Sequence, residues 1–452
     1  MPEPKIERTF IVLAPPARVT CRPLGLLAGD GAREGDATGI HPEAALVEWR
    51  GEPPPPGVPL DTHVELPAGS EVRAVAEVEP SPPVRPAGGP IAGAVLRFTK
   101  LDGTERARLD AFITRNRKSD HIRICAAEDV RTEGMTAGFE RFRLPHQALP
   151  ELALSQVDLH ARLLGKRIGA PILISCMTGG SELAKTVNRR LAAAAARLSL
   201  PLGLGSARVL LKSRDVLDTF QVRDVAPEVP LIANVGAVQL NYGVGRDECI
   251  ELVRLLQADA LALHLNPLQE AVQPEGDTDF RGLKEKIAAL AAELPFPVIL
   301  KEVGSGISPE IARWVRGTAI AAVDIAGAGG TNWAKVESYR AKGGLERALG
   351  RAFAGWGFPT AECLVRVRKE LPDRPIVASG GVKDGIEAAK AIALGADLAG
   401  IARPFLEAAL RSEDEAVDAA RLVVEELRVA LFCTGAANVE ALKRVAIEKI
   451  EP

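Results

Sequence analysis

The amino-acid sequence predicts an α/β protein: a (β/α)8 TIM barrel preceded by an additional N-terminal segment. From about residue 111 onward, eight short apolar runs alternate with amphipathic stretches, as expected of parallel strands joined by helices. Eight is also the number of strands that closes such a barrel. The alternative, a doubly wound open sheet, lacks support because no GxGxxG sequence opens a helix after the first strand.

The predicted strands are short apolar runs that end in polar or glycine residues. They lie at 171–175, 202–206, 231–236, 260–265, 298–303, 321–327, 375–381 and 398–404. Helical spacing of apolar residues predicts helices at 182–198, 246–257, 281–294, 308–315, 360–370, 385–394 and 405–430. Two shorter connections are less regular. Ligands of this fold bind where the strands end, so function is expected there.

Residues 1–110 differ in composition from the predicted barrel domain, residues 111–452. They hold about half of the 33 prolines, including a run of four that starts at Pro53. The alternating stretches 71–79 and 93–100 are typical of strands. This N-terminal extension is therefore predicted to be either β-rich or partly disordered, and none of its motifs indicates a role.

Composition and charge exclude several classes of function. The net charge of −3 and the aromatic content of 4% do not favour nucleic acid, which needs a basic, aromatic-rich surface. No apolar stretch of about twenty residues predicts a membrane span, and the first residues, MPEPKIERTF, lack the basic then apolar order expected of a signal peptide. The six cysteines are far apart and show no metal-ligand spacing, which favours reduced thiols in a cytoplasmic protein.

The most informative stretch is HLNPLQEAVQPEGDTD, residues 264–279, at the end of one predicted strand. A polar-capped loop without chemistry is the structural alternative, but packing alone does not call for so many carboxamides at a strand end. Mg²⁺ takes one or two carboxylates together with substrate phosphate and water, so Glu270 is predicted to hold Mg²⁺. Gln269 has no useful pKa, so it would orient a group or pass a proton. The polar residues of the stretch are His264, Asn266, Gln269, Glu270 and Gln273.

Two glycine loops follow neighbouring predicted strands, GAGGT at 327–331 and ASGGV at 378–382. Glycine lets the backbone approach an anion closely, and the last strands of such barrels commonly bind a phosphate. Two such loops suit a mononucleotide, and FMN is the usual one in barrels. Ordinary glycine turns are the alternative for either loop alone.

Lys301, at another predicted strand end, has two interpretations. It either forms a salt bridge with Glu302 or Asp324, or it lies beside the flavin ring and favours the anionic reduced form. Asn234 and Ser206 would donate hydrogen bonds to the same ring. Backbone N–H groups of MTGG, residues 177–180, would lie near its centre.

A basic cluster precedes the predicted barrel. On a helix, Arg117 and His121 share one face. Together with Arg208 this cluster would hold a diphosphate, whereas a solvated charged helix is the alternative. The members of the cluster are Arg115, Arg117, Lys118, His121 and Arg123.

Taken together, these motifs resemble those of the type 2 isopentenyl-diphosphate delta-isomerases. The resemblance runs in order from about Arg117 to the C-terminus and covers roughly three quarters of the chain, and its central motif at 264–280 is highly specific. The matching segments are 117–121, 142–159, 174–180, 203–211, 233–240, 264–280, 301–308, 324–337, 357–360 and 378–385.

The resemblance implies an enzyme of isoprenoid biosynthesis that interconverts isopentenyl diphosphate and dimethylallyl diphosphate. It implies bound Mg²⁺, reduced FMN with NADPH as the electron source, proton addition and removal at the substrate, and a homotetramer or octamer. An FMN-dependent 2-hydroxy-acid oxidase is the first rival, but it needs a late catalytic histidine and none follows His264. A non-catalytic flavin- or phosphate-binding protein is the second rival. The intact pairs Arg117–Lys118 and Gln269–Glu270 count against it.

The resemblance also implies roles for single residues. His264, Asn266 and Gln269 would be catalytic, and Glu270 would hold Mg²⁺. Substrate would contact Arg117, Lys118, His121, Ser206, Arg208 and Gln269. FMN would contact Cys176, Met177, Thr178, Ser206, Asn234, Lys301, Thr331, Gly380, Gly381, Ala402 and Arg403. Three positions depart from the family pattern: Cys176, Ala207 and Lys383.

Overall fold

The structure, a computed structural model, describes residues 11–23, 32–41, 44–50, 53–66, 71–79, 94–341 and 343–450. The chain forms two compact units, Met1–Arg117 and Lys118–Pro452. The sequence prediction divided the chain slightly earlier, after residue 110. Among the described residues, no helix is both long enough and apolar enough to cross a membrane.

The first unit contains a closed antiparallel barrel whose strand order is β1-β2-β3-β6-β5-β4. The strand β5 buries every second residue, from Val72 to Val78, because side chains alternate between the two faces of a strand. Both strands predicted in this segment are found, so its β-rich interpretation is confirmed for the described residues. The elements are β1 (Ile11–Pro23), β2 (Arg33–His41), β3 (Ala44–Trp49), β4 (Leu60–Glu65), β5 (Glu71–Val78), β6 (Ala94–Lys100) and the start of helix α1 (Gly103–Ala127).

The second unit is a closed barrel of eight parallel strands in chain order, which confirms the predicted (β/α)8 fold. These strands are β10 (Ile172–Ile174), β11 (Leu202–Gly203), β12 (Leu231–Gly236), β13 (Ala260–Leu265), β14 (Val298–Glu302), β15 (Ala322–Asp324), β16 (Ile376–Ala378) and β17 (Leu398–Ile401). Four short strands lie outside the barrel: β7 (Phe142–Arg143), β8 (Ala161–Leu163), β9 (Lys166–Ile168) and β18 (Glu448–Lys449).

Helices surround this barrel and bury their apolar faces against the strands. They are α2 (Glu182–Leu198), α3 (Arg246–Leu256), α4 (Pro267–Val272), α5 (Leu283–Glu293), α6 (Pro309–Arg316), α7 (Trp333–Arg340), α8 (Gly344–Ala352), α9 (Thr360–Glu370), α10 (Gly385–Ala393), α11 (Arg403–Arg411), α12 (Glu413–Cys433) and α13 (Val439–Leu442). The single helix predicted at 405–430 is wrong, because Ser412 is extended and separates α11 from α12. Its hydroxyl accepts the N–H of Glu415 and caps α12.

Strands β12 and β13 have the predicted bounds, whereas β15, β16 and β17 end before their predicted glycine or polar tails. At these ends the backbone leaves the sheet and forms loops. The irregular connection between β11 and β12 contains two 3₁₀ turns in place of an α-helix, at Arg208–Leu211 and Leu217–Thr219.

Two arginine–aspartate pairs with the same arrangement, here called clamps, lie at the amino ends of the strands. Arg223 donates to Asp259 at 2.7 Å, and the same carboxylate accepts the N–H of Leu231 at 2.9 Å. Four strands later, Arg368 donates to Asp397 at 2.6 Å, and that carboxylate accepts the N–H of Ile376 at 2.9 Å. In both clamps the guanidinium also donates to backbone carbonyl groups of the preceding loop. The clamps therefore hold β12 and β16 in the same way.

Candidate active site

The inward-facing residues at the carboxyl ends of the barrel strands form a polar layer. Apolar side chains such as Ile232, Ala262 and Ile299 fill the barrel interior. Because side chains alternate along a strand, the residues two positions later face the same way. Those residues are polar, so the strand order brings together side chains from distant parts of the sequence. The layer consists of Ser175, Asn234, His264, Lys301, Asp324 and Ser379.

His264 and Asn234 form a hydrogen-bonded pair within this layer, with 2.7 Å between His Nδ1 and Asn Oδ1. A carboxamide oxygen only accepts, so Nδ1 donates and Nε2 is left as an acceptor in the neutral ring. Burial, and then the charges of Lys118, Lys301 and Arg208, lower the pKa of His264 to about 3. The imidazole is therefore neutral near pH 7.

Lys301 forms a buried ion pair with Asp324, with 2.8 Å between Nζ and Oδ2. The hydroxyl of Ser379 donates to the other carboxylate oxygen at 2.5 Å. Burial alone would lower the pKa of Lys301, but the Asp324 carboxylate raises it above its ordinary value. The structure thus contains the Asp324 salt bridge that the sequence offered as one interpretation of Lys301.

Glu302, the next residue, lies outside this layer. One of its carboxylate oxygens accepts the backbone N–H groups of residues 303–306 at 2.5–3.1 Å. Burial raises the pKa of Glu302 to about 7. Its carboxylate therefore organises the loop after β14 and is not the partner of Lys301.

The stretch after β13 brings three of its polar residues into contact. The Asn266 amide donates to Gln269 at 3.2 Å and to Glu270 at 2.8 Å. The Oδ1 atom of Asn266 is buried and has no partner among the described residues. The other carboxylate oxygen of Glu270 accepts the N–H of Asp277 at 2.7 Å, and burial raises the pKa of Glu270.

Glu337 on α7 is a functional candidate that the sequence analysis missed. Its carboxylate contacts His121 Nε2 at 3.0 Å, accepts from Gln269 Nε2 at 3.3 Å and pairs with Arg340. Although burial opposes the charge, His121 and Arg340 lower the pKa of Glu337 to about 2. Glu337 is the last residue of the matching segment DIAGAGGTNWAKVE, and that match is the sequence feature that could have identified it.

The structure describes some of the basic residues predicted to bind a diphosphate. Arg208 donates to Gln239 at 2.7 Å and pairs with Asp277, and neither partner was singled out from the sequence. Lys118 lies on α1 and is half-buried, and Ser206 is also half-buried. The side chain of Arg117 lies outside the described residues.

The two glycine loops pack backbone against backbone. A Cβ atom on Gly380 would lie 2.0 Å from the carbonyl oxygen of Gly327, and one on Gly381 would lie 2.7 Å from the carbonyl carbon of Gly329. Thr360, which the sequence analysis missed, donates its hydroxyl to the carbonyl of Gly380. Within the described part of the chain, the N–H groups of Gly380 and Gly381 make no hydrogen bond. These loops leave two backbone donors for an anion.

The other residues predicted to contact FMN lie at the ends of β10, β15 and β17. Thr178 is buried, and its hydroxyl has no partner among the described residues. Arg403 donates to Glu407 at 2.7 Å, so the structure gives its side chain a protein partner. Half-buried residues complete the set: Cys176, Met177, Thr331 and Ala402.

The fold, together with the family match that follows, defines an FMN-type (β/α)8 barrel. Residues 262–449 match the FMN-dependent dehydrogenase family. A flavocytochrome b2 variant with sulfite bound is similar with a TM-score of 0.53 and 16% identity, over 73% of this chain and 82% of that chain. A lactate oxidase structure from Pediococcus acidilactici is similar with a TM-score of 0.52 and 15% identity, over 74% and 87%. These two structures support the fold alone.

Relatives with a shared name are far more similar in sequence. A protein of Nostoc sp. named isopentenyl-diphosphate delta-isomerase is 53% identical over 334 residues, which is 74% of this chain and 95% of the relative. Proteins of the same name from Synechococcus sp. and Oceanobacillus iheyensis are 51% and 45% identical, each over 73% of this chain and 95% of the relative. This chain belongs to the FMN-dependent type 2 isopentenyl-diphosphate delta-isomerase family and is an isomerase.

Proposed function

We propose that this protein interconverts isopentenyl diphosphate and dimethylallyl diphosphate, with Mg²⁺ and reduced FMN bound and NADPH as the reductant. The observation that carries the proposal is one polar end of the barrel, where neutral His264 is hydrogen-bonded to Asn234 and the charges of Lys118, Lys301 and Arg208 act on its ring. Reversible movement of a C=C bond needs a proton to be added at one carbon and removed from another. It therefore needs a site that holds a charged substrate and controls protons.

The residues at the strand ends fit FMN. The free N–H groups of Gly380 and Gly381 would hold its phosphate, and the Thr178 hydroxyl would gain a partner that the described residues do not provide. Lys301 and Asn234 would face the ring. When reduced, FMN supplies a group that gives and takes a proton, so a redox cofactor serves a reaction without net oxidation.

The protein's own residues would hold and orient the substrate. Neutral His264 offers Nε2 as an acceptor, and Asn234 keeps the ring in that tautomer. Gln269 donates to Glu337, which fixes its carboxamide without making it an acid or a base. Its role is therefore to position the substrate or to hold a proton-carrying group in place.

The diphosphate would be bound by cations and one metal ion. Lys118 and Arg208 would supply positive charge, and the family resemblance also assigns Arg117 and His121 to the diphosphate. Glu270 would hold Mg²⁺, since a hard cation prefers oxygen ligands and keeps several waters or phosphate oxygens. Among the described residues no group of three or more His, Cys, Asp and Glu side chains is placed to hold a metal. Most of the ligands would then come from the diphosphate and from water.

The test is an anaerobic incubation of the full-length protein with FMN, NADPH, Mg²⁺ and isopentenyl diphosphate in D₂O, followed by proton NMR. Deuterated dimethylallyl diphosphate that forms only with reduced flavin is the expected result. Unchanged substrate in the presence of bound, reduced flavin would refute the proposal.

Two variants make the metal assignment specific. Glu270→Gln should lower kcat/KM roughly 100-fold and raise the Mg²⁺ concentration needed for half-maximal rate, because a charged ligand is lost. Glu275→Gln is the matched control: Glu275 lies in the same loop but pairs with Arg340 at 3.1 Å. Equal effects of the two substitutions would contradict the role of Glu270.

A cytoplasmic location and a homotetramer or octamer remain proposals. All six cysteines are free, which suits a reducing compartment. Tyr339, Leu345 and Leu349 on α7 and α8 expose 42%, 80% and 42% of their surface, which suits subunit contacts. Light scattering of the purified protein measures the mass directly, and a monomeric mass would contradict this part of the proposal.

A further inference from the structure

Asp324 is the most deeply buried charged group in the polar layer, with 1% of its surface exposed. Each carboxylate oxygen has its own partner: Oδ2 faces the Lys301 ammonium group at 2.8 Å, and Oδ1 accepts from the Ser379 hydroxyl at 2.5 Å. Residues 301 and 324 are paired in register on neighbouring strands. The carboxylate is therefore fixed from two sides.

We propose that Asp324 is a positioning residue that holds the Lys301 ammonium group and cancels most of its charge, and that it thereby sets the relative affinity of this protein for reduced and oxidised FMN. The inference rests on the proposed function only in that FMN must bind at these strand ends. It changes the simplest interpretation of Lys301, in which an isolated cation stabilises the anionic reduced flavin.

The physical reason is the strength of charge interactions in a buried site. Lys301 is 6% exposed, so water screens its charge weakly. A carboxylate 2.8 Å from Nζ leaves a dipole whose field falls off much faster than that of a free cation. Other groups also act here: Cys176 and Glu302 interact electrostatically with Lys301, and Lys301 in turn lowers the pKa of His264. None of these groups matches the direct contact of Asp324.

The experiment measures the reduction potential of FMN bound to the full-length protein, by equilibration with redox dyes under argon. Asp324→Asn should make the potential more positive, with the ratio of affinities for reduced over oxidised FMN rising at least roughly tenfold, because the buried Lys301 ammonium group loses the carboxylate that cancels its charge. Lys301→Gln should move the potential in the opposite direction. The double variant, which has neither charge, should return to within about twofold of the wild-type ratio.

The double variant separates charge cancellation from loss of structure, because a purely structural defect would not be reversed by a second substitution. Asp259→Asn, the same change in a clamp at the amino ends of the strands, is the matched control and should leave the potential unchanged. An unchanged or more negative potential in Asp324→Asn would overturn the inference. Should that variant not fold, the double variant decides: a ratio within about twofold of the wild-type ratio is expected, and a markedly more negative potential would overturn the inference.

Isomerisation measured on the same samples keeps the two claims apart. If the wild-type protein binds FMN but leaves isopentenyl diphosphate unchanged, and the variants show the predicted shifts in potential, the proposed function is overturned and the inference is supported. Isomerisation by the wild-type protein without the predicted shifts in potential would support the proposed function and overturn the inference. A wild-type protein that does not bind FMN would overturn both.

Discussion

Glu337 provides the sharpest quantitative prediction. Its carboxylate is 3% exposed and is held by His121, Gln269 and Arg340. We expect Glu337→Gln to destabilise the barrel unit and also to reduce kcat, because Gln269 would lose the anion that orients it. The substitution keeps the shape of the side chain and removes only its charge.

The magnitude follows from the pKa of Glu337, which falls from 4.5 to about 2. Each pKa unit corresponds to about 1.4 kcal/mol, so the charge contributes about 3 kcal/mol at pH 7. The folded-state pKa is below the unfolded one, so this stabilisation is present above the ordinary pKa and is lost as the pH falls through about 2. At pH 3, roughly 1.4 kcal/mol of it should remain.

The assay is urea unfolding followed by far-ultraviolet circular dichroism at pH 7 and pH 3. Glu275→Gln is the control, because Glu275 pairs with the same Arg340 at 3.1 Å but is exposed, and such pairs are worth at most about 1 kcal/mol. A loss below about 1 kcal/mol for Glu337→Gln at pH 7, or a loss that does not shrink at pH 3, would refute the reasoning.

Three other predictions follow from single contacts. Gly380→Ala should abolish FMN retention, because its methyl group would lie 2.0 Å from the Gly327 carbonyl oxygen at φ +97°, and a normal flavin absorbance would contradict this. His264, whose pKa is lowered to about 3, should show no NMR titration between pH 5 and 8, whereas an inflection near its ordinary pKa would count against a neutral ring. Asp259→Asn and Asp397→Asn should each destabilise by roughly 1.5–3 kcal/mol at pH 7, the cost of losing charged hydrogen bonds. The pKa of both carboxyl groups is lowered, so both losses should shrink in acid, and clearly unequal losses in thermal unfolding would argue against matching clamps.

Much of the site was predictable because side-chain direction along a strand is a local property. The bounds of β12 and β13 agree with the apolar runs that predicted them, and Asn234 and His264 follow from alternation along those strands. The contacts among Asn266, Gln269 and Glu270 were equally accessible, because residues three or four apart on a helix are neighbours.

The partners of these residues were not predictable in the same way. Glu337 contacts Gln269 across 68 positions and His121 across 216. The sequence left Lys301 with two acidic candidates. The register of β14 against β15 places Asp324 beside Lys301, whereas Glu302 binds the backbone of the loop after β14. Such choices depend on which strand ends meet, and that is a property of the closed sheet.

The sequence by itself therefore determined the kind of protein: a parallel barrel, its polar strand ends, its glycine loops and its family. Periodicity and turn chemistry are short-range, so they can be read along the chain. Tertiary structure alone decided that the first unit is a closed six-stranded barrel and that the active-site charges are paired. Which charges form ion pairs in a buried site depends on the distances between their atoms. Folding sets those distances when it brings distant strands together.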